Sequence, residues 1–355
     1  MSFMQVTRDT LRVQASAKLA AAAVTTGGLF AVNKPPGISC TGFIDYIKRN
    51  AGLGERAISF SDHFEMEKQL RKPGKKIYRK KYHTNLRIGH AGTLDVEAAG
   101  VLVLGVESGC KLLGDYLKGE KSYMATGRLG LATDSYDAEG KITHVGDASG
   151  VTSDMILRTI PRFIGDIEQT PPLYSAIRID GKRLYEYMRS GEPIPVKVKP
   201  RKVHISDIKL LHYKPQQQKE QGSTGVLEQA VYGKRVVLPP ECVEYFTGGR
   251  FAWDEKSSEN KVPCVGDYMY SFLNQPNAPT IQLLVRSGGG VYIRSLIHNM
   301  GEALGCGASM AMLVRTSQGP LRLGRDTIDV QDLPYIAKIT EAMRRTQARL
   351  DESTS

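Results

Sequence analysis

Residues 87–106 read RIGHAGTLDVEAAGVLVLGV, a glycine-punctuated loop followed by an unbroken apolar run. Because glycines let the backbone bend sharply, this loop holds His90 and Asp95 close to the start of a buried strand. The apolar run from Ala98 to Val106 has the length of a core strand and is far shorter than the roughly 20 residues of a membrane span. The stretch therefore predicts a site loop beside a core strand. The alternative for Asp95 is a turn cap, a role that aspartate often takes.

Outward from this loop, the sequence alternates between strand-like and helix-like patterns. Runs typical of strands occupy Leu29 to Val32, Ser122 to Leu129, Val203 to Leu211, Thr280 to Val285 and Met312 to Arg315. Apolar residues spaced for one buried helix face occur at Phe43, Ile44 and Ile47, at Ile156, Ile160 and Phe163, and at Ile293, Leu296, Ile297 and Met300. These patterns predict an α+β (mixed α/β) fold with no membrane span.

Composition and charge narrow the classes of function. The 355 residues allow about two domains, or one large domain with insertions. Forty-eight Lys and Arg against 37 Asp and Glu leave a formal charge of +11, which favours a polyanionic partner, nucleic acid above all. The five cysteines form neither a CxxC pair nor a dense framework, which is typical of an intracellular protein. The sequence lacks HExxH, P-loop and GxGxxG motifs, so zinc, nucleotide-hydrolysis and dinucleotide chemistry are not expected.

Two internal segments and both termini depart from this regularity. Residues 1–27 are rich in Ala, Ser and Thr, which predicts a flexible or targeting segment similar to a mitochondrial transit peptide, or else a disordered tail. Residues 51–86 and 214–279 are predicted as insertions, and residues 336–355 as a C-terminal tail. The first insertion contains a basic run that we expect to contact phosphates; a solvated charge run or a nuclear-localisation signal is the alternative. Its candidate RNA-binding residues are Arg71, Lys72, Lys75 and Lys76.

Arg294 is the candidate partner for the Asp95 carboxylate. A carboxylate that is partly removed from water needs a nearby cation to stay ionised near neutral pH. Arg294 follows a Gly-Gly-Gly turn at residues 288–290 and opens a helix, where the helix dipole gives a cation no advantage. An ordinary surface salt bridge is the alternative. Tyr123 begins an alternating strand and can stack on a base, although a lone aromatic residue is more often part of the core.

The segment from Tyr174 to Lys202 interleaves aromatic rings with basic side chains. Stacking platforms combined with phosphate neutralisers are typical of proteins that bind RNA loops and single strands. Tyr185 and Tyr187 can alternatively be partly buried on a half-exposed basic helix. We predict RNA contact here, through a set of side chains that includes Tyr174, Arg178, Lys182 and Arg183.

Six motifs in a fixed order extend these observations. They are NKPPGISC (33–40), RIGHAGTLDVEAAGVLVLGV (87–106), KSYMATGRLGLATDSYDAEG (121–140), QTPPLYSAIRIDGKRLYEYMRSGE (169–192), GGGVYIRSL (288–296) and LVRTSQGP (313–320). From Gly28 to Leu323 the chain resembles the stand-alone TruB-type tRNA pseudouridine synthases. Its two insertions resemble those of eukaryotic, particularly fungal-type, members. The resemblance implies a pseudouridine synthase fold, with one catalytic domain over 28–335 and a mixed, largely antiparallel central sheet flanked by helices.

The resemblance also implies an Asp-dependent isomerisation with no cofactor and no metal. Asp95 would be the catalytic aspartate, Arg294 would pair with it, and Tyr123 would stack on the target uracil and help relay the C5 proton. Moving the glycosidic link from N1 to C5 requires a base that is extruded from its stack, detached, rotated and reattached. Whether Asp95 attacks C1′ or C6 stays open.

The implied partner is tRNA, bound through its T stem-loop, with uridine 55 as the target. His90 would wedge into the RNA loop, Leu313 would line the base pocket and Tyr292 would contact RNA. Residues 174–202 would form a thumb that closes on the RNA. The residues after Tyr335 leave no room for the C-terminal PUA domain of some relatives, so we expect no guide RNA.

T-loop-like sites in messenger RNA are expected as secondary substrates. The protein is expected to be a monomer in the nucleus, the mitochondrion or the cytoplasm.

A second class of function stays open beside the enzyme. The alternative to an enzyme is an RNA-binding module or tRNA-folding chaperone whose catalysis is dispensable. The two hypotheses differ at Asp95, since an Asp95→Asn variant of a chaperone would keep its function.

Overall fold

The computed structural model of the chain describes residues 3–63, 86–216 and 278–354. Most of the predicted insertions at 51–86 and 214–279 lies outside the described residues, as does the basic cluster of Arg71, Lys72, Lys75 and Lys76. The chain divides into two compact units. Among the described residues, unit 1 comprises 3–63, 86–119 and 314–354, and unit 2 comprises 120–216 and 278–313. One catalytic domain over 28–335 stays a prediction.

Strands and helices alternate along the described residues. The strands are β1 (Leu29–Lys34), β2 (Ile88–His90), β3 (Ala99–Val106), β4 (Lys121–Leu129), β5 (Leu131–Thr133), β6 (Ile142–Val145), β7 (Gly165–Gln169), β8 (Arg178–Ile179), β9 (Lys182–Arg183), β10 (Arg201–Lys214), β11 (Thr280–Ser287), β12 (Ala308–Gln318), β13 (Leu321–Arg322) and β14 (Thr327–Ile328). The α-helices are α1 (Phe3–Thr25), α2 (Cys40–Asn50), α3 (Leu113–Lys118), α4 (Ser153–Thr159), α5 (Leu184–Ser190), α6 (Ile293–Ala303) and α7 (Ile336–Thr354). Within the described ranges, no helix combines the length and apolar character needed to cross a membrane.

Unit 1 is built on a mixed sheet with the strand order β14-β1-β3-β12. β1 runs antiparallel to β3 and parallel to β14, and β3 runs parallel to β12 at Val314 and Arg315. Every residue of β1 and β3 is buried, as expected for strands that are covered on both faces. Gly100 allows a close approach of the two strands, since a Cβ there would lie 2.2 Å from the Arg315 carbonyl oxygen. The core strand predicted after the Asp95 loop is therefore present as β3.

The two terminal segments of the chain form helices within unit 1. α7 packs against β1, and α1 packs against α7 and α2. Leu19 and Ala23 of α1 are fully buried, as is Met343 of α7. The hydroxyl of Thr26 lies 3.3 Å from the Met343 sulfur. Much of the segment predicted as 1–27 and of the tail predicted as 336–355 thus contributes side chains to the core of unit 1.

Unit 2 is built on a largely antiparallel sheet with the strand order β12-β4-β11-β10-β7, in which residues 308–313 of β12 take part. β4 pairs antiparallel with β11, β11 with β10, and β10 with β7. α6 packs against β4 at Gly127, where a Cβ would lie 2.8 Å from the Ile297 side chain. The helix face predicted on α6 is buried, and it consists of Ile293, Leu296, Ile297 and Met300.

These strands and helices confirm the predicted α+β class and the mixed, largely antiparallel sheet architecture with flanking helices. The strand predicted at Met312 to Arg315 is longer in the structure, where β12 extends from Ala308 to Gln318. β7 has no counterpart among the predicted strands, because its sequence GDIEQ contains a single large apolar residue, Ile167. This unpredicted strand matters for the site, because its last residue contacts the segment that carries Arg294.

Candidate active site

Asp95 lies in the loop of unit 1 that joins β2 to β3. The preceding Leu94 is buried, whereas Asp95 itself is half-buried and begins a turn in which the Ala98 N–H donates to the Asp95 carbonyl over 3.2 Å. Gly92 has φ of +106°, a backbone conformation that residues other than glycine rarely adopt. The sequence therefore bends the loop at Gly92 and presents the Asp95 carboxylate near the edge of the core.

Lys34 fastens one side of this loop. Its side chain is fully buried at the end of β1, and its ammonium donates to the carbonyls of Pro35 at 2.7 Å, Ile38 at 2.8 Å and Val96 at 3.1 Å. The Gly37 N–H also donates to the Val96 carbonyl, at 2.8 Å. A buried ammonium is tolerated only when its protons are hydrogen-bonded. Lys34 thus ties the KPPG turn to the residue that follows Asp95.

Cys40 fastens the residue that precedes Asp95. The Leu94 N–H donates to the Cys40 sulfur at 3.2 Å, and the thiol donates back to the Leu94 carbonyl at 3.4 Å. Burial raises the pKa of the Cys40 thiol above its ordinary value, although Lys34 and Arg315 oppose the shift. The group therefore stays a neutral thiol that can both donate and accept.

Arg315 and Gln318, on β12, fasten the start of the loop. The Arg315 guanidinium donates to the carbonyls of Gly92 at 3.4 Å and Thr93 at 3.2 Å. It also donates to the Gln318 side-chain oxygen at 3.1 Å, and the Gln318 amide donates in turn to the Ala91 carbonyl. Arg315 is only 2% exposed. The carbonyls of residues 91–93 are therefore hydrogen-bonded by Arg315 and Gln318. Arg315 was not among the predicted site residues, although it lies in the LVRTSQGP motif.

Arg294 lies in the first turn of α6 in unit 2. Its guanidinium donates to the carbonyls of Ser135 at 3.1 Å and Tyr174 at 2.9 Å, and it forms an ion pair with Asp137 at 3.3 Å. Arg294 and Tyr174 are thus brought together, through the Tyr174 backbone. Asp95 belongs to unit 1 and Arg294 to unit 2, so their predicted pairing stays a prediction.

Asp137 is a site residue that the sequence analysis missed. The Ser135 hydroxyl donates to its carboxylate at 2.5 Å and the Glu139 N–H at 3.1 Å, while the Thr133 hydroxyl donates to its carbonyl at 2.6 Å. The carboxylate is therefore oriented by its own loop before Arg294 contacts it. The only signal in the sequence was the pair Asp134 and Asp137 in the ATDSYDAEG stretch. This stretch is a polar loop without apolar periodicity, so its conformation could not be predicted.

The remaining predicted pocket residues lie on separate strands. Tyr123 is 6% exposed on β4, in register with Val285 of β11, and Leu313 is 7% exposed on β12. His90 is half-buried at the end of β2, in register with Leu104. These positions leave the roles in base stacking, pocket lining and loop wedging as predictions.

The predicted thumb segment contains the β8–β9 hairpin and α5. Two guanidinium groups lie near the Tyr185 ring, with Arg183 at 5.7 Å and Arg189 at 5.3 Å from its centre. Arg183 also donates to the Tyr185 hydroxyl at 2.8 Å. Tyr187 is buried and lies under the Lys182 ammonium at 4.6 Å. Tyr185 thus fits the stacking hypothesis, whereas Tyr187 is part of the local core.

Two further basic residues of this segment, Arg178 and Lys182, have local partners. Lys182 forms an ion pair with Glu192 at 2.7 Å, and Arg178 donates to the Gly181 carbonyl at 3.2 Å across the hairpin turn. Both partners are close in sequence, so contacts within the segment itself hold these two basic side chains in place. Tyr292, the last predicted contact, is half-buried just before α6.

Two family profiles match the chain. Residues 75–225 match the profile of the TruB family pseudouridylate synthase N-terminal domain, and residues 294–352 match that of the tRNA pseudouridylate synthase B C-terminal domain. The tRNA pseudouridine synthase 4 of Schizosaccharomyces pombe is 32% identical over 335 residues, which cover 84% of this chain and 80% of that protein. Pseudouridylate synthase TRUB1 of Mus musculus is 29% identical, with 95% of this chain and 75% of that protein covered.

Solved structures add a weaker likeness. A crystal structure of a Cbf5-Nop10-Gar1 complex has a chain that is 21% identical, with a TM-score of 0.48. The match covers 90% of this chain and 58% of that one. A crystal structure of a pseudouridylate synthase aligns with a TM-score of 0.29 at 12% identity, over 88% of this chain and 73% of the other.

Proposed function

Because the chain belongs to the TruB family of pseudouridylate synthases, we propose that it isomerises uridine 55 in the T loop of tRNA to pseudouridine without a guide RNA. The observation that carries the proposal is the fastening of the Asp95 loop by Lys34, Cys40 and Arg315. Lys34 and Cys40 from one segment, and Arg315 from β12, bind the backbone on both sides of the half-buried Asp95. Preorganisation of this kind is expected of a catalytic group and is more than a turn cap needs.

Asp95 would act as an ionised carboxylate on the flipped-out nucleotide. In the reaction the bond from C1′ to N1 breaks and a bond from C1′ to C5 forms, while the proton on C5 is lost and N1 gains one. A carboxylate supports this exchange either by adding covalently to the substrate or by stabilising an electron-poor sugar. Tyr123 would stack on the uracil and help relay the C5 proton.

Arg294 would supply positive charge to the same reaction. Its guanidinium is held by two backbone carbonyls and by Asp137, so its direction is fixed before RNA arrives. A fixed, largely buried cation is suited to keeping a nearby carboxylate ionised, because it offsets the cost of removing that carboxylate from water.

The segment from Tyr174 to Lys202 would bind the RNA. Tyr185 with its two flanking arginines combines an aromatic face with phosphate-neutralising charge. The net charge of +11 favours the same class of partner. T-loop-like sites in messenger RNA would be secondary substrates, since they present the same fold of single-stranded bases.

The test is tritium release from a T-stem-loop transcript labelled at C5 of its uridines. We expect release by the wild-type protein, no release by Asp95→Asn, and no release from a transcript that lacks the target uridine. Asp154→Asn, which changes an exposed carboxylate in the first turn of α4, is the matched control and should release tritium at the wild-type rate. Binding of the transcript without release would contradict the proposal and favour an RNA-binding module or folding chaperone.

A further inference from the structure

Gln169 is the last residue of β7 and is only 2% exposed. Its side-chain amide makes a pair of hydrogen bonds with the backbone of a single residue, Tyr292. The Gln169 Nε2 donates to the Tyr292 carbonyl at 3.0 Å, and the Tyr292 N–H donates to the Gln169 Oε1 at 2.7 Å. The amide thus satisfies both backbone groups of one residue, as a neighbouring strand would.

The neighbouring residue, Thr170, adds a second point of attachment. The Ser295 hydroxyl donates to the Thr170 carbonyl at 3.0 Å, and Ser295 is fully buried. Residues 169 and 170 therefore hold residues 292 and 295, and Arg294 lies between these two points of attachment. All five residues belong to unit 2.

The start of α6 depends on such an external anchor. Tyr292 is the N-cap of α6 and offers no side-chain cap, and the chain reaches it through the glycines at 288–290. Glycines restrain the backbone least of all residues, so the sequence before Tyr292 does not fix where the helix begins. Gln169 supplies the restraint from another strand.

The guanidinium of Arg294 reaches its partners only if α6 begins at the right place. It contacts Ser135, Asp137 and the Tyr174 carbonyl over 2.9 to 3.3 Å. We propose that Gln169 is a positioning residue, which acts through Tyr292 to hold the Arg294 guanidinium against Ser135, Asp137 and the Tyr174 carbonyl. This inference rests on the proposed function, since it assigns Gln169 to the same isomerisation.

The first variant is Gln169→Leu, which keeps the apolar volume and removes both hydrogen bonds. We expect the single-turnover rate on saturating T-stem-loop RNA to fall roughly 10- to 100-fold, as misplacement of a catalytic group by about 1 Å does. The dissociation constant for the RNA should change less than the rate does, because the buried Gln169 amide binds the Tyr292 backbone and does not face the surface. A merely structural residue would instead lower the melting temperature and leave the rate of the folded fraction unchanged.

The second variant is Gln169→Glu, which makes the same contact dependent on pH. A neutral carboxyl can donate to the Tyr292 carbonyl and accept from its N–H, as the amide does, whereas a carboxylate can only accept. Relative to wild type at each pH, the rate should rise as the pH falls from about 8 to about 6, since burial raises the pKa of a carboxyl group. The charged groups that neighbour Gln169 are Arg201, its register partner on β10, and Glu168, which precedes it in the chain. Arg294 lies two positions beyond Tyr292, to which Gln169 is bonded.

Gln282→Glu is the matched control. Gln282 is a buried amide in the same sheet, on β11, and its side-chain oxygen has no hydrogen-bond partner among the described residues. The rate of its folded fraction, relative to wild type, should not rise as the pH falls, because the Gln282 oxygen has, within the described ranges, no hydrogen bond to be restored. Circular dichroism at each pH separates loss of folding from loss of rate.

The outcomes separate the inference from the function on which it rests. A lowered rate in Gln169→Leu, together with a rate of Gln169→Glu that rises as the pH falls, supports the positioning role. If the wild type is active, either of two results overturns the inference alone. One is a wild-type rate in Gln169→Leu, and the other is the same pH dependence of the rate in Gln169→Glu and Gln282→Glu. A wild-type protein that releases no tritium overturns the proposed function and the inference together.

Discussion

The guanidinium of Arg294 lies 3.3 Å from the carboxylate of Asp137, and the two side chains are only 5% and 17% exposed. Charges held in such a site interact more strongly than exposed pairs, because little water screens them. Asp137 therefore fixes both the charge balance and the direction of Arg294.

Asp137→Asn removes this opposing charge while keeping the shape of the side chain. We expect the free energy of unfolding to fall by about 3 kcal/mol, since breaking one partner of a buried pair leaves an uncompensated charge. The single-turnover rate should fall by at least about tenfold. Urea unfolding and tritium release measure the two effects. Asp166→Asn is the control, because the Asp166 side chain is 87% exposed; a rate for Asp137→Asn equal to that of this control would show that Arg294 needs no anion to direct it.

Arg315→Met removes the buried cation under residues 91–93. The carbonyls of Gly92 and Thr93 lose their donor, so we expect a loss of about 3 kcal/mol in the free energy of unfolding. Activity should fall further than the folded fraction explains, because the Asp95 carboxylate is no longer held in one place. Arg322→Met replaces an exposed arginine on β13 and should leave both quantities unchanged. Proportional loss of folding and rate in Arg315→Met would contradict the role of the guanidinium in placing Asp95.

Lys34→Met tests the other side of the loop. Three carbonyl groups lose an ammonium donor on a fully buried side chain, so we expect a destabilisation of about 3 to 5 kcal/mol. Chemical denaturation would show this directly. Lys48→Met on α2 is the control, since Lys48 is half-buried near the C-terminal end of that helix. A midpoint shared by the two variants would mean that water replaces the Lys34 ammonium at no cost.

Cys40→Ala tests the effect of pH on the loop. Burial raises the pKa of the Cys40 thiol above its ordinary value of 9.0, so the folded protein favours the neutral thiol. The resulting stabilisation is fully present below about pH 9 and is lost as the pH rises further. We expect the melting temperature of wild type to fall more between about pH 8 and about pH 10 than that of Cys40→Ala. Cys110→Ala, at a half-exposed cysteine, should keep the wild-type slope; equal slopes in all three proteins would refute the assignment.

Arg189→Gln tests the thumb segment. Its guanidinium lies 5.3 Å from the Tyr185 ring, and we expect it to neutralise one phosphate when RNA stacks on that ring. The slope of log K against log salt should then fall by roughly one, uniformly across RNA sequences. Filter binding at several salt concentrations measures this slope. Arg344→Gln, on the exposed face of α7, provides the comparison; identical slopes would exclude a phosphate contact at Arg189.

The parts of the fold that could be predicted are those with strong apolar periodicity. β3 and the buried face of α6 follow directly from runs such as Ala98 to Val106 and from Ile293, Leu296 and Ile297. Burial of these side chains dominates the free energy of folding, so the pattern determines the structure. β7 escaped prediction because backbone pairing with β10, and not a buried face of its own, forms the strand.

The candidate site was predictable only in part. Asp95 and Arg294 stood out because each follows a glycine-rich turn, whereas Lys34, Arg315 and Gln169 did not. These three side chains act on backbone groups, and any residue can supply a carbonyl, so no complementary residue type appears in the sequence. The bond from Gln169 to Tyr292 also spans 123 positions of the chain. Local patterns carry no information about a partner at that distance.

The hydrogen bond from Arg315 to Thr93 joins residues 222 positions apart. On the ribosome, which adds roughly 5 to 20 residues per second, Thr93 is made roughly 10 to 40 seconds before Arg315. Throughout that interval β3 lacks its β12 neighbour, and the Asp95 loop lacks its last anchor. The nascent chain therefore acquires an organised Asp95 loop only after β12 has been made. Release of the polypeptide before that point would yield a fragment that exposes the edge of β3 for aggregation.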